Sequence, residues 1–408
     1  MDEIPKVAVL LETSRGYGRQ LLAGILRYRR LHRPWSLVVS PGHFAQHVPQ
    51  LQNERLSGAI TRLTPALTRM IHEQKLPVIT MEAFSEEFAK VHRRLGLCEI
   101  HSDSVAIGRM AAEHFLDRGF RHFAYCGISH DCLWSDVRQK GFAKRVEESG
   151  YSCHVYPIAR SETYGHWDHN VPVLAKWLAG LPKPLGLMVA NDDRSLTALH
   201  ACRIAGLQVP EEVAVVGVDD DELVCELCDP PLSSVATDLE SAGYDAAELL
   251  DHMMAGRVSG FHQIIVKPLW VTTRRSSDVI AQDDRLVAGM LRFIRDHAGR
   301  PIGVRDVVEH CELSRRTLER RFSEAMGHSI LDEITRQRLE RAKRLLLETR
   351  LAMHRVALAA GFSNEKSMHR AFRQIIGCSP WRYRQDEHGG GRVKPVASAS
   401  AQDTPTSR

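Results

Sequence analysis

A chain of 408 residues is longer than a single hydrophobic core usually supports, so its length predicts two or three domains. Hydrophobic residues make up 43% of the chain, as in soluble globular proteins. No apolar run reaches the roughly 18 residues of a membrane span, and the first residues show no signal-peptide pattern, so we expect a cytoplasmic protein. Nine scattered cysteines favour reduced thiols over a disulfide framework.

Charge is distributed unevenly along the chain. The formal net charge is +4, but residues 285–408 contain 24 Lys and Arg against 14 Asp and Glu, a net charge of +10. Residues 1–284 contain 30 against 36, a net charge of −6. This asymmetry predicts a basic, nucleic-acid-binding C-terminal region joined to a domain with another role.

The first 275 residues alternate between short apolar strands and amphipathic helices. Lys6–Leu11 predicts the first strand, and Gly18–Arg30 predicts the helix after it. Further strands are predicted at Ser36–Ser40, Gly58–Ile60, Pro77–Met81, His122–Cys126, Leu185–Ala190 and Val213–Val218. Such alternation indicates parallel sheets with helices on both faces, which bind ligands beyond the carboxyl ends of their strands.

Polar residues follow three of these strands, at Glu12–Arg15, Asn191–Arg194 and Asp219–Asp221. The segments Ile100–Gly127 and Val189–Leu250 resemble the effector domain of the LacI/GalR family, and the resemblance extends back to the first strand. It implies two α/β lobes joined by crossing strands, with a small ligand, usually a sugar, in the cleft. The family's usual N-terminal helix-turn-helix is missing, so we expect DNA binding from the other end of the chain.

The same resemblance assigns effector-binding roles to four residues: Arg138, Asn191, Asp192 and Asp219. Sugar recognition requires carboxylates that accept from hydroxyls, Arg or Asn donors, and an aromatic ring under the apolar sugar face. Trp167 or Trp134 supplies that ring, and we place Trp167 in the predicted set. The alternative is that the two aspartates only cap helices and that the tryptophans fill the core.

Two helix-turn-helix patterns occupy residues 304–326 and 353–376. In the first, Ser314 predicts the N-cap of a helix whose Leu318 and Phe322 face inward. In the second, Asn364 is the predicted cap, and Met368 and Phe372 face inward. The predicted DNA-binding residues on the outer faces are Arg315, Arg316, Glu319, Arg320, Lys366, His369, Arg370 and Arg373.

A helical stretch, Ser329–Glu348, separates the two patterns and would span about 30 Å. One turn of B-DNA is about 34 Å, so such a spacer can place two recognition helices in successive major grooves. This region resembles the DNA-binding domain of the AraC/XylS family, although the family commonly has aromatic residues where this chain has Ser367 and Met368. Matching positions include Leu313, Ser314, Leu318, Arg320, Phe322, Gly327, Arg338, Ala342, Leu345, Leu346, Gly361, Phe362, Arg370, Phe372, Gly377, Ser379, Pro380, Tyr383 and Arg384.

The predicted fold is therefore an α/β two-lobed domain, like periplasmic binding proteins, followed by an all-α domain with two helix-turn-helix motifs. We predict an effector domain at 1–275, a linker at 276–286, a DNA-binding domain at 287–385 and a disordered tail at 386–408. The combination resembles regulators of sugar operons, and this resemblance adds Arg194 to the effector-binding set. It implies a homodimeric transcription activator that binds operator half-sites on double-stranded DNA, responds to a small sugar such as xylose, and contacts RNA polymerase.

The rival prediction is a sugar-processing enzyme that carries a DNA-binding arm. The sequence shows no phosphate-binding Gly-rich loop, nucleophile elbow or metal-ligand constellation. Cys225 and Cys228 are the only close cysteine pair, and they lack further ligands at metal-binding spacing. We therefore predict no catalytic residue, cofactor or metal.

Overall fold

The structure of the protein, a computed structural model, describes residues 4–32, 34–39, 55–63, 71, 73, 75–129, 132–158, 170–279, 285–311 and 313–388. The strands are β1 (Lys6–Leu10), β2 (Ser36–Val39), β3 (Gly58–Thr61), β4 (Val78–Met81), β5 (Cys98–Ser102), β6 (His122–Cys126), β7 (Cys153–Val155), β8 (Leu185–Val189), β9 (Val213–Val218), β10 (Ser233–Thr237), β11 (Gln263–Val266) and β12 (Pro268–Thr272).

The helices of the two lobes are α1 (Gly16–Leu31), α2 (Glu86–Leu95), α3 (Ser104–Leu116), α4 (Leu133–Glu147), α5 (Val171–Ala179), α6 (Asp192–Ile204), α7 (Glu222–Leu227) and α8 (Leu239–Met254). A 3₁₀ turn, Arg275–Ser277, follows β12. The C-terminal helices are α9 (Arg285–His297), α10 (Val304–Glu309), α11 (Arg315–Met326), α12 (Ile330–Glu348), α13 (Met353–Ala359), α14 (Glu365–Ala371), which continues into a π-helical turn at Phe372–Ile376, and α15 (Pro380–His388).

Within the described residues, each lobe is built on one six-stranded sheet, lobe 1 on the sheet that contains β1 and lobe 2 on the sheet that contains β6. The first sheet has the order β11-β5-β4-β3-β1-β2 and is parallel throughout. The second has the order β12-β10-β9-β8-β6-β7, and only β12 runs antiparallel to its neighbour. The central strands are continuous apolar runs because helices cover both faces of each sheet, and β8 and β9 are buried along their whole length.

The chain crosses between the lobes at three places. It leaves the first sheet after β5, returns to it after β10, and crosses again between β11 and β12. Two backbone bonds hold the crossing segments side by side: Asp103 N donates to Val266 O over 2.9 Å, and Asp238 N donates to Lys267 O over 2.9 Å. Asp103 and Asp238 also cap the helices that follow, so the crossings are closely constrained.

The helical domain has two small cores that share one helix. Ile330 and Ile334 of α12 pack with α9, α10 and α11 in the first core. Leu339, Ala342 and Leu346 of the same helix pack with α13 and α14 in the second. The long helix α12 therefore fixes the two helix-turn-helix units relative to each other.

The predicted fold class is confirmed, with parallel α/β lobes followed by an all-helical domain. The spacer helix lies at Ile330–Glu348, where the sequence pattern predicts it. Strands β5, β7, β10, β11 and β12 were not predicted. Within the described residues, no helix is both long and apolar enough to cross a membrane. The predicted disordered tail lies outside the described residues from position 389 onward.

Candidate ligand cleft and DNA-reading helices

A cleft of about 330 Å³ lies between the two lobes, at the carboxyl ends of strands from both sheets. Lobe 1 contributes polar and aromatic side chains: Glu12, Arg15, Tyr17, Arg62, Glu82, Phe84 and Phe88. Lobe 2 contributes Trp134, Arg138, Asn191, Asp192, Asp193, Asp219 and Asp221. The cleft thus combines aromatic surface with several charged groups, the composition expected of a site for a small polar ligand.

Arg138 on α4 is only 3% exposed and points into the cleft. Its Nη1 donates to the backbone oxygen of Ala190 at the end of β8. Its guanidinium lies 4.9 Å from the ring centre of Trp134, a cation–π distance. Its Nε is buried and has no hydrogen-bond partner among the described residues. An unpaired buried polar group is costly, so this donor beside the cleft favours an acceptor there.

Asp219 directly follows β9 and lines the cleft. Its backbone has a φ of 101°, and its amide donates to Val235 O over 3.0 Å. Burial raises the pKa of Asp219 to about 7, while Arg138 acts in the opposite direction. Asp219 does not cap a helix, because α7 starts at Glu222 with Asp221 in the cap position.

Asp192 lies at the cleft wall, but both of its carboxyl oxygens accept hydrogen bonds from other residues of the same lobe. Oδ1 accepts from Ser234 Oγ over 2.6 Å, and Oδ2 accepts from the amide of Asp221 over 2.8 Å. Burial and the neighbouring Asp219 raise its pKa well above the usual range. The side chain of Asp192 therefore fixes the 219–221 loop, which positions Asp219.

The other predicted effector residues lie at different depths. Asn191 lines the cleft and caps α6, because its Oδ1 accepts from the amide of Arg194 over 3.1 Å. The side chain of Arg194 is fully buried behind the lining, and its Nε donates to Gly127 O over 3.2 Å. Trp167 lies outside the described residues, whereas Trp134 lines the cleft.

Sequence reasoning missed several lobe 1 residues of the cleft. Arg62 follows β3, and Glu82 and Phe84 follow β4. Both strands were predicted, so inspecting the residues after every strand would have found them. Glu82 is held by His101 Nδ1 at 3.0 Å, and that contact raises the pKa of His101.

Direct bonds join the two lobes at the edge of the cleft. Asp221 of lobe 2 accepts from the amide of Gly16 over 2.6 Å and from Arg19 Nη2 over 2.6 Å. Arg15 pairs with Asp193 at 2.8 Å. The lobes are therefore already held together across the cleft in this conformation.

The first predicted recognition helix is α11, the first reading helix, and it has the predicted arrangement of cap, buried and exposed residues. Ser314 caps it by accepting from Thr317 N over 3.3 Å, and Leu318 and Phe322 are fully buried. Arg315, Arg316 and Arg320 are exposed and Glu319 is partly exposed. The side chains pair one turn apart along the helix, Arg315 with Glu319 at 2.9 Å and Arg320 with Glu324 at 3.2 Å.

The second reading helix, α14, begins with a capping box between Asn364 and Ser367. Met368 and Phe372 are fully buried, so the positions where relatives of the AraC/XylS type commonly carry aromatics are filled here by a small cap residue and a packed methionine. The outer face carries Lys366, His369, Arg370 and Arg373, of which His369 is partly exposed and the others exposed.

Two regions of the chain thus have distinct chemistry: a cleft between α/β lobes lined by charged and aromatic side chains, and two basic helices on a helical domain. Residues 112–277 match the family model described as a periplasmic binding protein-like domain. Residues 307–386 match the model described as a helix-turn-helix domain. The chain is a DNA-binding transcription regulator with an N-terminal domain of the periplasmic-binding-protein type and a C-terminal AraC-type domain.

Nearly the whole chain is similar in sequence to proteins named as regulators. The xylose operon regulatory protein of Haemophilus influenzae is 28% identical over 94% of this chain and 99% of that protein. The protein of the same name from Escherichia coli K12 is 27% identical over 93% of this chain and 96% of that protein. A solved structure titled xylose-binding transcription activator xylR superposes with a TM-score of 0.58 and 26% identity, covering 94% of this chain and 98% of the other. Since these relatives are regulators, the predicted regulator is confirmed over the rival enzyme.

Proposed function

We propose that the cleft binds a small neutral sugar, D-xylose or a closely similar pentose, and that this sugar controls DNA binding by the C-terminal domain. The observation that carries the proposal is Arg138 itself, which lines the cleft beside Asp219, holds its guanidinium over Trp134 and keeps an unpaired Nε. Together these groups offer a donor, a flat apolar ring and an acceptor, which are the three elements of sugar recognition.

The size and charge of the cleft support a neutral monosaccharide. A volume of about 330 Å³ lies at the small end of ligand pockets, so a single sugar ring suits it better than an oligosaccharide. Even without Asp192 and Asp219, whose pKa values are raised, four acidic side chains of the lining, Glu12, Glu82, Asp193 and Asp221, stand against the guanidinium groups of Arg15, Arg62 and Arg138. This excess disfavours sugar acids and sugar phosphates.

Calorimetry and thermal unfolding of the full chain test this proposal. We expect D-xylose to bind and to raise the melting temperature, because a ligand that binds only the folded state stabilises it. D-xylonate, which matches the sugar but carries a carboxylate, should give neither effect. If no pentose or hexose bound while D-xylonate did, the proposed ligand class would be wrong.

On the DNA side, we propose that α11 and α14 contact base edges in successive major grooves. The supporting observations are their exposed arginines and the single helix, α12, that belongs to both cores. The proposed units are an effector domain at 1–275, a linker at 276–286 and a DNA-binding domain at 287–385. Acting on the chromosome in the cytoplasm as an activator, the protein would also contact RNA polymerase.

We further propose that the protein acts as a homodimer. Four large apolar side chains are exposed on the neighbouring helices α6 and α7: Leu196 at 43%, Ile204 at 54%, Leu223 at 64% and Leu227 at 79%. Large apolar side chains exposed on two helices that contact each other favour a protein partner. Light scattering should give the mass of a dimer, and Leu227→Glu should yield a monomer. A monomeric wild type would contradict this part of the proposal.

A further inference from the structure

An ionic contact joins the second lobe to the DNA-binding domain. Arg336, in the first half of α12, donates through Nη1 to Oδ2 of Asp117, which directly follows α3. The other donors of Arg336 bind Glu333 in its own helix, with Nε at 2.9 Å from Oε2 and Nη2 at 2.6 Å from Oε1. Arg336 is thus held by a fork of two bonds and presents its remaining edge to Asp117.

Glu333 fixes the direction in which Arg336 points. Its side chain is only 1% exposed, and it also accepts from His328 at 3.0 Å and from Gln337 at 2.9 Å. Burial opposes its ionisation, but Arg336, His328 and Gln337 together lower the pKa of Glu333 to about 2. The carboxylate is therefore charged at neutral pH and keeps the guanidinium in place.

The end of α3 that carries Asp117 is equally well anchored. Arg118 donates to Ser277 O and to Thr273 Oγ1, both at 3.1 Å, and His114 Nε2 lies 2.8 Å from Ser277 Oγ. These bonds tie α3 to the segment that leads into the DNA-binding domain. Asp278, in the same segment, accepts from Arg295 of α9 over 2.6 Å.

The other end of α3 lies at the ligand cleft. Ser102, the last residue of β5 and two positions before the helix, lines the cleft, and the 13 residues of α3 extend about 20 Å from there toward Asp117. α3 packs backbone to backbone against α4: a Cβ on Gly108 would lie 2.3 Å from Arg138 O, and one on Gly141 would lie 2.5 Å from Val105 O. Because α4 carries Trp134 and Arg138, the two helices form a rigid pair with the cleft at one end and Asp117 at the other.

We propose that Asp117 and Arg336 are a positioning pair, through which the α3–α4 pair transmits the ligand state of the cleft to α12. Neither residue lines the cleft or lies on a reading helix. Because α12 belongs to both helix-turn-helix cores, a shift of its first half moves α11 and α14 together. The inference rests on the proposed function, since it requires that a cleft ligand and DNA binding are coupled.

The test uses the full chain, D-xylose, and a DNA fragment that the wild type selects from a random library. Asp117→Asn removes the negative charge without substituting any residue of the DNA-binding domain, and Asp117→Glu retains that charge. The matched control is Glu148→Gln, because Glu148, directly after α4, pairs with Arg109 of α3 at 2.9 Å, so that both partners belong to the second lobe. Calorimetry measures sugar affinity, and fluorescence anisotropy measures DNA affinity with and without sugar.

We expect sugar affinity to stay within about twofold of wild type in all three variants, since a pair outside the cleft contributes no ligand contact. In Asp117→Asn, the sugar-dependent change in DNA affinity should fall at least about threefold, whereas Asp117→Glu and Glu148→Gln keep it. A wild-type change in Asp117→Asn, or an equal loss in Glu148→Gln, would overturn the positioning role.

A sugar-free measurement separates failure of this inference from failure of the proposed function. If the wild type binds no sugar, the proposed function fails, but the contact still predicts local protection of α12. Hydrogen exchange of amides 330–337 should then be at least about threefold faster in Asp117→Asn than in Glu148→Gln. Identical exchange in the two variants would overturn the inference even if sugar binds.

Discussion

The cleft and the reading helices hold their charged groups in opposite ways. In the cleft, Arg138 and Asp192 are buried and bonded to backbone or side-chain groups of distant segments. On α11, the side chains of Arg315 and Arg320 are 64% and 65% exposed, and each pairs with a glutamate one turn away. Exposed pairs of this kind contribute little to stability. Cleft substitutions should therefore alter folding and ligand binding, and reading-helix substitutions should alter DNA binding alone.

The largest effect on stability is expected for Asp192→Ala. Removing this carboxylate leaves the Ser234 hydroxyl and the Asp221 amide without their acceptor, which should cost about 2–4 kcal/mol of unfolding free energy. The adjacent Asp193→Ala removes a partly exposed pair with Arg15 and should cost less than about 1 kcal/mol. Urea unfolding of the two variants compares them directly. Equal losses of unfolding free energy in the two variants would contradict a structural role that is specific to Asp192.

Arg138→Lys should weaken sugar binding about 10- to 100-fold while DNA binding without sugar stays normal. The lysine keeps the positive charge but lacks the Nε donor that the structure leaves unpaired. The control Arg145→Lys changes the outward face of the same helix, where Arg145 pairs with Glu113. Calorimetry that showed equal sugar affinity for both variants would remove Arg138 from the site.

Substitutions on the first reading helix, α11, should change DNA affinity and leave the stability of the fold unchanged. Arg320→Ala should cost about 1–3 kcal/mol of operator binding if the guanidinium reads a base edge, with no change in urea unfolding. Glu324→Gln removes the partner of Arg320 but keeps the guanidinium, so DNA affinity should be retained or increased. Anisotropy titrations measure both. Unchanged operator binding in Arg320→Ala would place this residue outside the base contacts.

The smallest expected effect is the dependence of sugar affinity on pH. The pKa of Asp219 is raised to about 7, chiefly by burial, above the usual value near 3.9. Between these values the folded state holds a proton that the unfolded chain has lost, so this group lowers stability as pH rises through that window. The ionised carboxylate accepts hydrogen bonds from sugar hydroxyls more strongly than the protonated group, so affinity should rise by up to about tenfold from pH 6 to pH 8. Calorimetry should show that Asp219→Asn flattens this dependence, and a slope that survives the substitution would assign it to another group.

Local patterns allowed the reading helices to be predicted from the sequence almost residue by residue. The cap at Ser314 and the buried positions Leu318 and Phe322 depend on neighbours within one or two helical turns. The mixed-polarity strand β10 was not predicted, because its Ser-rich sequence is buried by tertiary contacts rather than marked by an apolar run.

The cleft could be located from sequence, but its internal roles could not be assigned. Asp192 was predicted to bind ligand, and in the structure its oxygens accept from residues 29 and 42 positions further along the chain. Arg194 likewise binds Gly127 O, 67 positions away. Such partners are brought together only by the sheet, so a motif indicates the neighbourhood of these side chains and the fold determines what they contact.

The most direct test of the account is the affinity of the full chain for its selected operator, measured with and without saturating D-xylose. Coupling between a cleft ligand and a DNA-binding domain predicts an affinity change of about 5- to 150-fold. A fragment lacking residues 1–280 should bind the same DNA with no response to the sugar. Equal operator affinity of the full chain with and without bound sugar would contradict the central claim that the cleft controls the reading helices.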